Sequence, residues 1–317
     1  MYRVVSYTQS YLARRSSLVL FHLVAVVEVL IAMQGLISIL LAFAIYTDAF
    51  QMKTLIARPT TNLNMMFNFG GNKAGTSSVA IPANKKICVI TGTTSGLGKE
   101  TLRSLLEDGS YYVVCACRNV DKMKQVALAE GYDSKSFTVL ECDLGSFEST
   151  KKFATTLRST IKRPLDALVC NAALYQPAFD KPRYSADDIE QQLQVNHLSH
   201  FLLCSLLLPD VQKAKKGRMI IVGSITGNTN TVGGGAVAPF ADLGDLRGMK
   251  AGSKNPIEMI DGKNFNGAKA YKDSKICNMM TVLELHRRYH KSTGVTFSSM
   301  YPVSSYPSCS FVNSSSL

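Results

Sequence analysis

The sequence predicts an α/β fold, a doubly wound parallel sheet with helices on both faces, and three observations carry that prediction. From residue 86 onward, short apolar runs alternate with stretches of helical spacing. A glycine-rich turn follows the first run and opens the first helical stretch. Hydrophobic residues make up 46% of the 317 and charged residues only 18%, which excludes disorder for the bulk of the chain. Strands that alternate with helices need crossover connections, and right-handed crossovers give this architecture.

The elements follow in order. Residues 86–91 (KICVIT) form a short β-rich run, and 97–107 have helical spacing. Residues 111–117 (YYVVCAC) make the second strand, followed by helical residues 120–130. Residues 137–142 read as strand, 146–161 as helix and 165–170 as strand. A helix over 186–208 leads to a strand over 218–222; a helix over 268–290 leads to a sixth strand over 295–300. Five of the eight cysteines lie in or beside strands, and Cys115-Ala116-Cys117 puts two thiols on one strand face. That spacing does not suit zinc; buried reduced thiols in a reducing compartment are expected, and no metal site.

The first turn reads Thr91-Gly92-Thr93-Thr94-Ser95-Gly96-Leu97-Gly98. In a Rossmann-type fold Gly92 permits the tight turn, Gly96 lets the backbone approach a pyrophosphate, and Gly98 lets helix pack on strand. The N–H groups of that helix start, from Thr94 through Leu97, face the anion. The second strand ends in Cys117-Arg118-Asn119, where an NAD enzyme would carry an acid. Arg118, helped by Lys99, suits a ribose 2′-phosphate, so NADPH is the expected cofactor; the plainer reading is a solvated loop charge. Asp143-Leu144 reads as an adenine contact or as a helix N-terminal acid.

Tyr271 and Lys275 stand four apart on one helix face. An ammonium beside a phenol lowers the phenol's pKa toward neutrality and suits it to proton transfer. Alone, such a pair is as readily a surface pair. Its company is Cys170-Asn171-Ala172-Ala173 after the fourth strand, Asn196 in Val-Asn-His, and Ser224 past the fifth.

Those residues resemble the short-chain dehydrogenase/reductase family across about residues 84–302. The resemblance implies a tetrad of Asn196, Ser224, Tyr271 and Lys275, with Asn196 holding a relay water, Ser224 orienting the substrate or the tyrosine, and Lys275 reaching the nicotinamide ribose. It implies cofactor contacts from Gly92, Thr94, Ser95, Gly96, Leu97, Gly98, Arg118, Asp143, Leu144, Asn171, Ala172, Tyr271 and Lys275. Longer runs are more specific. GSITGNTNT (223–231), ADLGDLRG (241–248), MIDG (259–262), GAKAYKDSK (267–275) and ELHRRYH (284–290) are similar to the light-dependent protochlorophyllide oxidoreductase family, as are VCNAALYQP (169–177) and VNHLSHFLL (195–203). That resemblance implies light-driven, NADPH-dependent reduction of a ring D double bond in a protochlorophyllide-type pigment, in a plastid and near its membrane; an oligomer is compatible with it. Forty-six residues separate Ser224 from Tyr271, and the Gly233-Gly234-Gly235 tract reads as a mobile cover or a disordered insertion. The alternatives are another membrane-anchored NADP-dependent reductase of a lipid or retinoid, or a non-catalytic scaffold.

Three segments are expected: a presequence (1–84), a reductase domain (85–302) and an unmatched tail (303–317). Of the net charge of +12, +7 falls on residues 1–99. No folded basic patch with a recognition motif points to nucleic acid. Residues 18–46 are apolar enough to act as a signal or a retained anchor. Residues 50–84 contain no acid, which is transit-peptide composition and favours a bipartite presequence. At the other end the family continues Tyr-Pro-Gly-Cys, where this chain has Tyr301-Pro302-Val303-Ser304. The family's seventh strand and substrate-side helices have no counterpart after it. Read as written, the chain is expected to bind NADPH weakly or fold poorly, and to turn over no pigment.

Overall fold

The computed structural model describes residues 80–228, 230–251 and 256–301. The presequence expected over 1–84, with its hydrophobic segment 18–46, falls almost wholly outside the described residues, as do the tail 303–317 and Cys309.

Six parallel strands run in the order β3-β2-β1-β4-β5-β6. They are β1 Lys86–Thr91, β2 Tyr111–Cys117, β3 Phe137–Glu141, β4 Ala167–Cys170, β5 Arg218–Val222 and β6 Thr296–Met300. The main helices are α1 Gly96–Asp108, α2 Val120–Ala129, α3 Phe147–Ile161, α4 Ser199–Gln212 and α5 Gly267–Leu285. The order reverses between β1 and β4, and ligands of open α/β sheets bind at such a switch point, outside the carboxyl ends of the strands.

Alternation along the strands separates two cores. Ile87, Val89, Val114, Ala116 and Leu168 pack with Phe153, Leu157, Leu203, Leu207, Val282 and Leu285 from α3, α4 and α5. Ile90, Val113, Cys115 and Cys117 pack on the other face with Leu102 of α1 and Met123 of α2. The paired thiols of β2 share one face, as their spacing predicts, and the described cysteines are free. Burial pushes Cys115 well above its ordinary range, so it behaves as a small apolar side chain. Among the described residues no group of three or more His, Cys, Asp or Glu converges as for a metal, and no helix is long and apolar enough to cross a membrane.

Some boundaries differ from the sequence reading. The expected helix over 186–208 begins only at Gln191–Leu193, continues as a π-helical turn, Gln194–Leu198, and then becomes α4. Asp188 is left-handed (φ 55°), and Glu190 caps the start by accepting from the Leu193 N–H at 2.8 Å. Asp187 is spent on other backbone, accepting from the Phe147 N–H at 2.8 Å. The last long helix likewise turns π-helical at His286–His290. Strand β4, expected over 165–170, is Ala167–Cys170; before it Leu165 donates to the Asp210 carbonyl, and Asp166 still bonds both neighbouring strands.

Candidate active site

Two parts of the site are built at the carboxyl ends of the strands. The first is the cradle after β1. Gly92 has φ 72°, and a Cβ there would meet Ala172 at 2.9 Å. A Cβ on Gly98 would lie 2.0 Å from the Gly92 carbonyl oxygen, so α1 packs on the turn only with glycine there. Gly96 is different. Its φ is 56°, but nothing lies within 4 Å of where its Cβ would stand. Space is therefore open above the first N–H groups of α1, and Ser95, the N-cap, makes no side-chain cap bond. Open space, a bare cap and a helix N-terminus fit a pyrophosphate. Thr94 is half-buried beside them, Ser95 and Gly96 are exposed, and Leu97 is 38% exposed.

The residues after β4 shape this cradle. The Asn171 amide donates to the carbonyls of Thr91 (2.9 Å) and Gly92 (3.2 Å). Asn171 and Ala172 both donate their N–H to the Thr91 hydroxyl at 2.9 Å. Their side chains thus form the turn's wall, with Asn171's amide N–H groups already spent. Leu144 is a core residue whose carbonyl accepts from Ser199 at 2.6 Å. Asp143 turns one oxygen inward to the Gly145 N–H at 2.8 Å. Arg118 is exposed directly after the end of β2. Lys99, expected to help it, pairs instead with Glu130 at 2.7 Å, because the first turn of α1 points it toward the end of α2.

The second part is the Ser224, Tyr271, Lys275 cluster. Tyr271 is 8% exposed and lies edge-on to Tyr175, ring centroids 4.6 Å apart. Lys275, 2% exposed, donates to the Val222 carbonyl at 3.0 Å and sits 5.6 Å from the centre of the Tyr271 ring. The expected lowering of the tyrosine pKa is not what this geometry gives. Burial pushes Tyr271 above its ordinary value; a hydrogen bond with Ser224 pulls the other way, and Tyr175 adds to the rise. Lys275 is itself brought down to about 8 by burial, and its ammonium is aimed at a carbonyl rather than at the phenol oxygen.

Asn196 lies in the π-helical turn, a feature common at functional sites. Its side chain is fully engaged: Oδ1 accepts from the Leu174 N–H at 2.7 Å, and Nδ2 donates to the Leu174 carbonyl (2.9 Å) and to Ser274 (3.0 Å). Its main-chain carbonyl accepts from Asn278 at 3.0 Å. Asn196 therefore ties the loop after β4 to α5; both amide N–H groups are spent, and Oδ1 keeps one acceptor position.

Sequence reading missed His200. Its Nδ1 lies 3.1 Å from the Asn196 carbonyl and its Nε2 2.9 Å from the Thr91 hydroxyl. A carbonyl only accepts, so Nδ1 carries the proton and Nε2 accepts from Thr91. The Thr91 oxygen is then free to accept from Asn171 and Ala172. One buried chain of bonds links the cradle to the catalytic helix. The only clue in the sequence is a polar residue one turn beyond Asn196.

Residues 86–237 match the family model of the short chain dehydrogenases. The chain is 52% identical over 224 residues to "Protochlorophyllide reductase, chloroplastic" of Marchantia paleacea, covering 69% of this chain and 48% of that one. It is 51% identical over 221 residues to "Protochlorophyllide reductase" of Avena sativa, covering 68% and 70%. The chain thus spans about half the length of some curated relatives it matches. Among solved structures, the apo form of LigO from Sphingobium sp. strain SYK-6 superposes with a TM-score of 0.50 at 16% identity, covering 69% of this chain and 68% of that one, which is a likeness of fold alone. By the identity to the curated relatives, together with the cradle and the Tyr271–Lys275 helix, the chain belongs to the short chain dehydrogenase family, and the relatives it is similar to there are protochlorophyllide reductases.

Proposed function

We propose that this NADPH-dependent oxidoreductase reduces the ring D double bond of a protochlorophyllide-type pigment in a plastid, with light absorbed by the pigment starting the reaction. One observation carries the reading: about half of the residues are identical, over some seven-tenths of the chain, to proteins of that name, several of them called chloroplastic.

The bound cofactor supplies a hydride to one carbon of the double bond. The chain's own residues do the rest. Gly96 and the N–H groups after Ser95 receive the pyrophosphate, and Arg118 the 2′-phosphate. Lys275, on α5, holds its ammonium at the Val222 carbonyl at the end of β5, from where it can reach a ribose hydroxyl. Tyr271, raised by burial, keeps its proton at neutral pH and can give it to the second carbon, with Ser224 holding the hydroxyl in line. Tyr175 and the buried setting of Tyr271 keep water from the proton.

Illuminating the purified protein with NADPH and protochlorophyllide tests the reading. Formation of the red-shifted chlorophyllide band is expected, and Tyr271→Phe is expected to slow it by about 10²–10⁴-fold while retaining NADPH binding. NADPH binding without pigment conversion would sink the reading.

A further inference from the structure

The chain between Ser224 and α5 is fastened to the catalytic helix by charged side chains that the chemistry above does not use. Lys272 is 7% exposed, and its ammonium donates to the Val237 carbonyl at 2.6 Å. Asp273, 1% exposed, accepts the Asp242 N–H at 2.9 Å. Lys269 bonds the Asp242 carbonyl and pairs with Asp273 (2.6 Å) and Asp261 (3.0 Å). Burying such charges is costly unless they are paired and hydrogen-bonded, and one missing partner leaves the other exposed to the full penalty. Here three of the bonds go to main-chain groups of residues 237 and 242. Bonds to backbone fix where a segment lies whatever its side chains are. The three residues flank Tyr271 on the first turns of α5. Close packing supports the same seat: a Cβ on Gly227 would meet Ile276 N at 2.9 Å.

We propose that Lys269, Lys272 and Asp273 are positioning residues, which hold the segment from Val237 to Asp242 against the Tyr271 end of the catalytic helix and so set the affinity for the large substrate without acting on the cofactor. The effect on substrate rests on the pigment reading; the holding itself does not.

The test uses Lys272→Met, which keeps the stem and removes the donor, and Asp273→Leu, which keeps the volume and removes the acceptor of the Asp242 N–H. Amide exchange is followed across the whole chain without ligand. Exchange in 237–247 is expected to accelerate about tenfold or more in each variant, while β1 and α1 are unchanged. NADPH affinity stays within about twofold, and the pigment KM rises about fivefold with kcat conserved, partly restored in Lys272→Arg. Unchanged exchange in 237–247, or a loss of protection spread over the sheet in both variants, would overturn the clamp. An unchanged KM with a freed segment would overturn its role in substrate affinity. A wild-type protein that converts no pigment would defeat the function reading, and the exchange experiment would still judge the clamp.

Discussion

At the scale of single residues, His200 shows how burial becomes a pH dependence. Burial brings it down to about 4 from an ordinary 6.5, against the opposing bond to Asn196; Lys275 and His197 lower it further. The folded state then binds fewer protons than the unfolded one. The stability from this group is fully present above pH 6.5 and fades as pH falls toward 4. The shift corresponds to at most about 3 kcal/mol. Urea unfolding at pH 7 and at pH 4.5 should show a larger loss in the wild type than in His200→Gln, whose amide stays neutral. Equal losses would mean that His200 does not carry the dependence. The residues of the site divide by how they could be read. Tyr271 and Lys275 were legible because one helix face holds both. Thr91, His200 and Asn278 were not, because they meet only when β1, α4 and α5 pack together, and no spacing along the chain records that.

Elements show a similar division. Strands β1, β2 and β5 lie where their apolar runs end, since turn residues stop each of them. The helix expected over 186–208 failed at its start because Asp187 bonds the distant Phe147 N–H, Asp188 is left-handed and Glu190 caps Leu193, choices helical spacing does not reveal. The long insertion carries no period at all. Its described part is held by bonds to other elements, those of Lys269, Lys272 and Asp273 to residues 237 and 242 and those of Asp188 and Glu190 to Ile257 among them, so a mobile or disordered reading was all the sequence could offer. In the first turn the glycines are legible as a set, but the structure separates their reasons. Gly98→Ala puts a methyl into the Gly92 carbonyl and should cost about 3 kcal/mol of stability. Gly96→Ala meets only the left-handed backbone penalty, about 1 kcal/mol, with its larger loss in NADPH affinity. Denaturant unfolding beside a fluorescence titration with NADPH separates the two; equal losses of stability would refute the distinction.

For the whole molecule, the strand order sets the site along one edge of the sheet. Arg118 ends β2, the cradle ends β1, Asn171 ends β4 and Ser224 follows β5. A dinucleotide lying along that edge bridges both halves of the sheet, so its binding should stabilise the whole fold. At a concentration 100 times its dissociation constant, a ligand that binds only the folded state adds about 2.7 kcal/mol. The 2′-phosphate is the one group that distinguishes NADPH from NADH, and a bond to a charged group contributes about 1.5–3 kcal/mol. Arg118 is the exposed cation at that point, while Lys99 is held by Glu130. NADPH should therefore raise the thermal midpoint more than NADH at equal concentration, with affinities about 10- to 100-fold apart. Arg118→Ala should bring the two midpoints together, and Lys99→Met should leave them apart. If Lys99→Met removes the difference and Arg118→Ala does not, the phosphate is held from α1, and the Lys99–Glu130 pair must open when the cofactor binds.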